Sequence, residues 1–182
     1  YPEDISAIAV THEHIDHIAG IGVMMRRYHI PVWANAATWT AMESQVGKID
    51  KSLVNIFDND SSFEIGEIGV KPFSIPHDAA DPVGYSFMCG DEKVAVATDI
   101  GELKKDLFEA IRGSKTVLLE SNHDVNMLEI GKYPPQLKRR IRGKLGHLSN
   151  DDAGRAAEFL VRLGTERIIL GHLSEENNYP EL

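Results

Sequence analysis

The sequence predicts an α/β protein whose strands end in residues suited to binding metal. Three observations carry that expectation. Four short apolar runs (5–10, 68–75, 94–97 and 167–170) each lead within a few residues to histidine or aspartate: the cluster His12–His17, then His77, Asp99 and His172. Short apolar runs rich in β-branched residues read as buried strands, and ligand-type residues at strand ends sit where a rigid scaffold meets a loop. Between these runs lie stretches with helical spacing of apolar residues, such as 103–112 and 151–163. The apolar and charged fractions, 42% and 26%, are those of an ordinary globular chain.

Taken in order, Ile5–Val10 reads as a strand that runs into Thr11-His12-Glu13-His14-Ile15-Asp16-His17. In extended backbone, side chains two apart point the same way, so His12 and His14 can grip one ion while Asp16 and His17 face another position. A helix with an apolar face and a basic end is expected over 18–28. His29 lies beyond that loop and stays outside the candidate set. A strand at 31–34, a helix at 36–44 and a short strand at 54–57 follow. From Phe63 the period changes to two: 63–65 and 68–75 read as a hairpin ending at His77, and 83–88 with 94–97 as a second pair ending at Asp99. A helix at 103–112 leads to a buried strand at 116–119 that ends at Glu120. Helices are expected at 124–130 and 136–142, separated by Pro134-Pro135, and Ser149 is a good N-cap for a helix over 151–163. The last strand runs into Gly171-His172. The tetrapeptide Gly-His-Leu-Ser occurs twice, at 146–149 and 171–174.

With 182 residues the chain is long enough for one domain, expected to span 1–182. Nineteen basic against 28 acidic residues give a formal charge of −9, which argues against binding nucleic acid over the whole surface but leaves room for a local basic track. Cys89 is the only cysteine, so neither a disulfide framework nor a thiolate zinc cluster is available. No apolar run is long enough to span a membrane and no signal peptide is visible, so a cytoplasmic protein is the simplest reading.

The stretch at 11–17 resembles the Thr-His-x-His-x-Asp-His signature of the metallo-β-lactamase superfamily. The resemblance implies an αβ/βα four-layer sandwich with a hydrolytic metal centre. Members usually place several strands before this motif, so it also implies that the leading N-terminal strands are missing here. Carried over residue by residue, it implies that His12, His14 and His77 hold one metal, that Asp16, His17 and His172 hold the other, and that Asp99 bridges them. Each later residue would by itself read as an ordinary turn residue. Two divalent ions are thus expected, and an imidazole-rich set with carboxylates suits zinc, with manganese or iron fitting the same ligands. Two cations about 3.5–4 Å apart lower the pKa of a shared water near neutral pH and clamp the reacting oxygens, so hydrolysis is the expected reaction.

The substrate is narrowed by what surrounds these motifs. Asp99 stands where β-lactam-cleaving relatives carry cysteine, and a helical domain of the glyoxalase II kind is not expected after His172. Glu120 and His147 resemble the extra acid and histidine of phosphodiesterase branches such as ribonuclease Z, which implies that His147 protonates the leaving oxygen and that Glu120 orients it. Asp16, Glu120 and His147 form the candidate catalytic set. Candidate substrate contacts are Asn122 and His123, together with Lys138, Arg139, Arg140, Arg142 and Lys144 in the most basic stretch of the chain. The segments 118–124, 146–152 and 170–178 look like the bacterial YycJ (WalJ) exonuclease group. That likeness implies a metal-dependent exonuclease working from 5′ ends on DNA. A small-molecule phosphodiesterase or thioesterase, and a metal-binding scaffold without catalysis, are the alternatives.

Overall fold

The computed structural model describes all residues, 1–182, and divides into two compact units: residues 1–74 with 79–83, and residues 75–78 with 84–182. Nine strands and seven α-helices follow the expected order closely.

In the first unit three parallel strands stand in the order β1 (Ile8–Ala9), β2 (Val32–Asn35), β3 (Val54–Phe57). The expected strand over 5–10 is only two residues long. Its pairing begins at Ile8 with Val32, because the preceding Pro31 has no N–H to extend the ladder. The expected helix over 18–28 is two helices, α1 (Ile15–Ile18) and α2 (Ile21–Tyr28), parted at Gly20, a residue with poor helix propensity. His29 closes α2 in the left-handed conformation, with its N–H on the Met25 carbonyl. Asn35 caps α3 (Ala36–Val46) by accepting from the Thr38 N–H. Val10, Ile18, Ile21, Met25, Val32, Ala34, Met42 and Val46 form the core of this unit. A hairpin of β4 (Phe63–Ile65) and β5 (Ile68–Ser74) turns at Gly66-Glu67, where Gly66 takes φ 60°.

In the second unit β6 (Val83–Cys89) and β7 (Glu92–Ala97) pair antiparallel, and β7, β8 (Thr116–Glu120) and β9 (Arg167–Gly171) run parallel. Parallel neighbours need crossovers. Helix α4 (Lys105–Ile111) supplies the first, and α5 (Val125–Ile130), α6 (Pro135–Ile141) and α7 (Asn150–Arg162) supply the second. Ala153, Ala156 and Leu160 bury the inner stripe of α7, at the spacing that puts residues on one helix face.

This register positions the chemistry. Ala97 pairs with Leu119, and Glu120 with Gly171, so the three parallel strands end level with one another. Asp99, Glu120 and His172 therefore leave the sheet along one edge, at the carboxyl ends of its strands, where open parallel sheets gather their ligands.

Candidate metal centre and proton donor

Each unit gathers its own donors. In the first, the hydroxyl of Thr11 lies 3.1 Å from Nδ1 of both His12 and His17. The His12 ring is fully buried, with ring centroids 4.6 Å from His14 and 4.1 Å from His17. His14 stands at the N-cap of α1 and Asp16 in its first turn, with Asp16 Oδ2 3.5 Å from His17 Nε2. Sequence reasoning passed over Glu13. Its Oε1 accepts the Ala80 N–H at 2.8 Å. Together with the bond from the Val83 N–H to the Thr11 carbonyl, this ties segment 79–83 to the motif.

In the second unit the sheet edge builds a tighter cluster. Ligand-type atoms of Asp99, Glu120, His147 and His172 all lie within 4.8 Å of one another. Asp99 Oδ1 is 3.4 Å from His172 Nε2 and 3.7 Å from His77 Nε2. Asp99 and His172 both adopt positive φ, 59° and 57°, a conformation that costs a non-glycine residue energy and gathers at functional sites. Glu120 uses both oxygens. Its Oε1 accepts Nδ1–H of His147 at 2.8 Å and of His172 at 2.9 Å, while Oε2 accepts the backbone N–H of Ile100 at 2.6 Å and of Leu148 at 3.1 Å. Burial works against the charge on Glu120, but these bonds outweigh it and hold the carboxyl down at about 2. A carboxylate so fully used supports its histidines from behind. It holds both rings with Nδ1 inward and Nε2 outward.

His77 is set in the same way. Its Nδ1 donates to the Gly146 carbonyl at 3.1 Å, and burial pushes the imidazole below its ordinary range, the neutral form a ligand needs. The segment around it is held by backbone bonds from the Gly101 N–H to Pro76 and from the Asp78 N–H to Leu145.

The donor chemistry fits divalent cations. Three imidazoles converge in one unit, and histidines with a buried aspartate converge in the other. No lysine or arginine pairs with Glu120 to neutralise that edge.

The remaining candidates are placed as follows. His147 keeps Nδ1 toward Glu120 and makes no bond through Nε2; its side chain is 19% exposed. Asn122 is buried and donates its amide to the His172 carbonyl at 3.0 Å, so it holds the loop of a candidate ligand. His123 is buried, with Nδ1 lacking any partner. Arg140 grips Asp78 with two nitrogens, Lys144 lies 3.1 Å from Glu102, and Arg142 lies 2.8 Å from Glu129. Lys138 donates to the Glu129 carbonyl, and Arg139 has no ion-pair partner.

Donors collected at parallel strand ends and backed by a shared carboxylate define a metallo-hydrolase type of site. The chain belongs to the β-lactamase superfamily, whose domain model matches residues 1–173. It is 44% identical over 179 residues to the exodeoxyribonuclease YycJ of Bacillus anthracis, covering 98% of this chain and 68% of that protein. It is 42% identical over 183 residues to the exodeoxyribonuclease WalJ of Streptococcus pneumoniae D39, covering all of this chain and 68% of the relative. Among solved structures, zinc-bound PqqB from Methylobacterium extorquens superposes with a TM-score of 0.71 at 19% identity, over 95% of this chain and 64% of that one. The fold is thus the metallo-β-lactamase fold that the motif implied.

Proposed function

We propose that this protein is a divalent-metal-dependent phosphodiesterase, a nuclease that removes nucleotides from 5′ ends of DNA. The names of its two relatives support the reaction and the nucleic acid. The 5′ polarity rests on the family likeness alone. In this reading His12, His14 and His77 hold one ion, Asp16, His17 and His172 the other, and Asp99 serves both. Zinc suits that set. When bound, the ions supply an activated water and neutralise charge on the phosphate.

The observation that carries the reading is the Glu120–His147 pair. Phosphodiester cleavage needs a proton for the leaving oxygen, and Glu120 accepts His147 Nδ1–H at 2.8 Å while Nε2 carries no protein bond. A histidine held by a carboxylate through Nδ1 is aimed with Nε2 outward, where a proton can pass to the leaving oxygen. Glu120 and Asn122 act as positioning residues, through His147 and His172 and through the His172 carbonyl. No helix is long and apolar enough to cross a membrane, and a cytoplasmic setting completes the proposal.

One observation favours a second reading, a small-molecule phosphodiesterase. Three cations of the basic stretch already face carboxylates: Arg140 with Asp78, Arg142 with Glu129 and Lys144 with Glu102. The test sets full-length protein loaded with zinc or manganese against end-labelled single- and double-stranded DNA and RNA, with bis(p-nitrophenyl) phosphate alongside. Laddering of DNA from one end, abolished by chelator and weakened by salt, is expected. Turnover of the small ester with every polymer untouched would replace the nuclease reading with the second one.

A further inference from the structure

Beside the proposed proton donor lies a cavity that its role leaves unexplained. It has a volume of about 320 Å³, opens between the end of α5 and helix α6, and is lined by Glu129, Pro135, Lys138, Arg139 and Arg142. Three cations and one carboxylate around a small hollow are unusual in a chain of net charge −9. We propose that this cavity takes a phosphate group of the nucleic-acid strand, and that Glu129 stands in for that phosphate until the strand displaces it. The inference rests on the nuclease reading and gives it a second contact point.

Glu129 offers the cations the oxygen acceptors a phosphate would offer. Its carboxylate accepts from Arg142 Nη1 at 2.8 Å, and its carbonyl accepts from Lys138 Nζ at 2.6 Å. Guanidinium groups match carboxylate and phosphate alike, through the same paired N–H donors. The Arg142–Glu129 pair is about half exposed on both sides, 51% and 65%, so solvent screens it and little is lost when it opens. Arg139, on the same wall, has no carboxylate to exchange.

A second, independent observation points the same way. His123, on the loop between β8 and α5, is 2% exposed, and its Nδ1 has no hydrogen-bond partner. Buried polar atoms are nearly always paired, so this orphan calls for a partner from outside the chain. Burial first, then the charges of His147 and Arg142, hold that imidazole below its ordinary range. The end of α6, which carries Arg139 and leads into Arg142, reaches the proposed donor directly, since the His147 backbone N–H donates to the Ile141 carbonyl at 2.8 Å. A strand with one phosphate at the metals and another in the cavity would be held at two points.

The phosphate has two sources, an internal phosphodiester or a 5′-terminal monoester, and both present the same non-bridging oxygens. The experiment measures KM and kcat of the metal-loaded, full-length protein on end-labelled duplexes at several salt concentrations, with 5′-phosphorylated and 5′-hydroxyl ends in separate arms. Glu129→Gln is expected to lower KM by about threefold to tenfold and steepen its salt dependence by about one counterion. Arg139→Ala and Arg142→Ala are expected to raise KM by a similar factor and flatten that dependence. If Arg142→Ala fails to fold, the exposed Arg139 carries the test. Opposite signs for the two charges are the signature, since a purely structural ion pair would suffer from either loss. A shift confined to 5′-phosphorylated ends assigns the terminal monoester, and an equal shift in both arms assigns the internal phosphodiester. Cleavage of DNA by the unaltered protein, with KM unmoved or raised in Glu129→Gln, would overturn the inference and leave the nuclease reading standing. No cleavage of DNA by the unaltered protein would remove both.

Discussion

The two Gly-His-Leu-Ser copies, 146–149 and 171–174, spell the same four residues and sit in different backbone settings. Both histidines donate Nδ1–H to the same oxygen of Glu120, at 2.8 and 2.9 Å. They differ in the nitrogen they turn to Asp99. His172 brings Nε2 to 3.4 Å from Asp99 Oδ1, whereas His147 brings its Nδ1 to 3.7 Å. The backbone makes the difference. His172 follows directly on β9 and takes φ 57°, while His147 precedes the capped start of α7 and needs no left-handed residue. One carboxylate thus fixes two imidazoles, and strand or loop context decides which of them turns Nε2 toward Asp99.

The comparison breaks most visibly at the histidines themselves. His172→Ala is expected to lower bound metal from about two ions to about one per chain, with activity lost along with it. His147→Ala is expected to keep both ions and lose about 10²–10⁴ in kcat. Metal analysis of the purified variants beside their turnover decides it, and an empty site in His147→Ala would exchange the two assignments.

The glycines sharpen the contrast next. A Cβ on Gly146 would meet the Ile141 carbonyl oxygen at 2.1 Å and that of Arg140 at 2.3 Å, both backbone atoms with nowhere to go. On Gly171 the nearest atom is the end of the Leu118 side chain, at 2.8 Å, which can turn aside. Gly146→Ala should therefore cost about 3 kcal/mol, and Gly171→Ala less than about 1 kcal/mol. Urea denaturation of the two variants gives both numbers, and equal midpoints would refute the packing account.

The serines give the smallest separation. Ser149 caps α7 by accepting the Asp152 N–H, while Ser174 accepts the Asn177 N–H in a short turn. Ser149→Ala is expected to cost about 1 kcal/mol and Ser174→Ala about half that. Thermal unfolding orders them, and a larger loss at Ser174 would reverse the ranking.

Much of the fold was legible because its signals are local. Period two over 63–97, the Ser149 cap and the apolar runs of a parallel sheet all lie within a few residues of what they specify. The strand-end placement of Asp99, Glu120 and His172 was legible for the same reason: parallel register carries a local pattern across the sheet. What escaped depends on partners far along the chain. Glu13 reads as filler in its motif until Ala80, 67 residues on, supplies an N–H. Arg140 reads as part of a basic track until Asp78, 62 residues back, takes its guanidinium. That Glu120 serves His172 as well as His147 needed the sheet edge to be built. The short β1 and the break at Gly20 were missed where one residue, a proline or a glycine, overrode an otherwise good pattern.

The grip of Arg140 on Asp78 has a mechanical consequence. Asp78 adjoins His77, its N–H is tied to the Leu145 carbonyl, and His77 Nδ1 is tied to the Gly146 carbonyl. Gly101 packs against the Lys144 backbone so closely that a single added carbon would meet it at 2.4 Å. Helix α6 and the His77 segment are therefore tied together at several points. A displacement of α6 is passed toward His77 through a guanidinium, one backbone bond, one imidazole–carbonyl bond and a close-packed glycine.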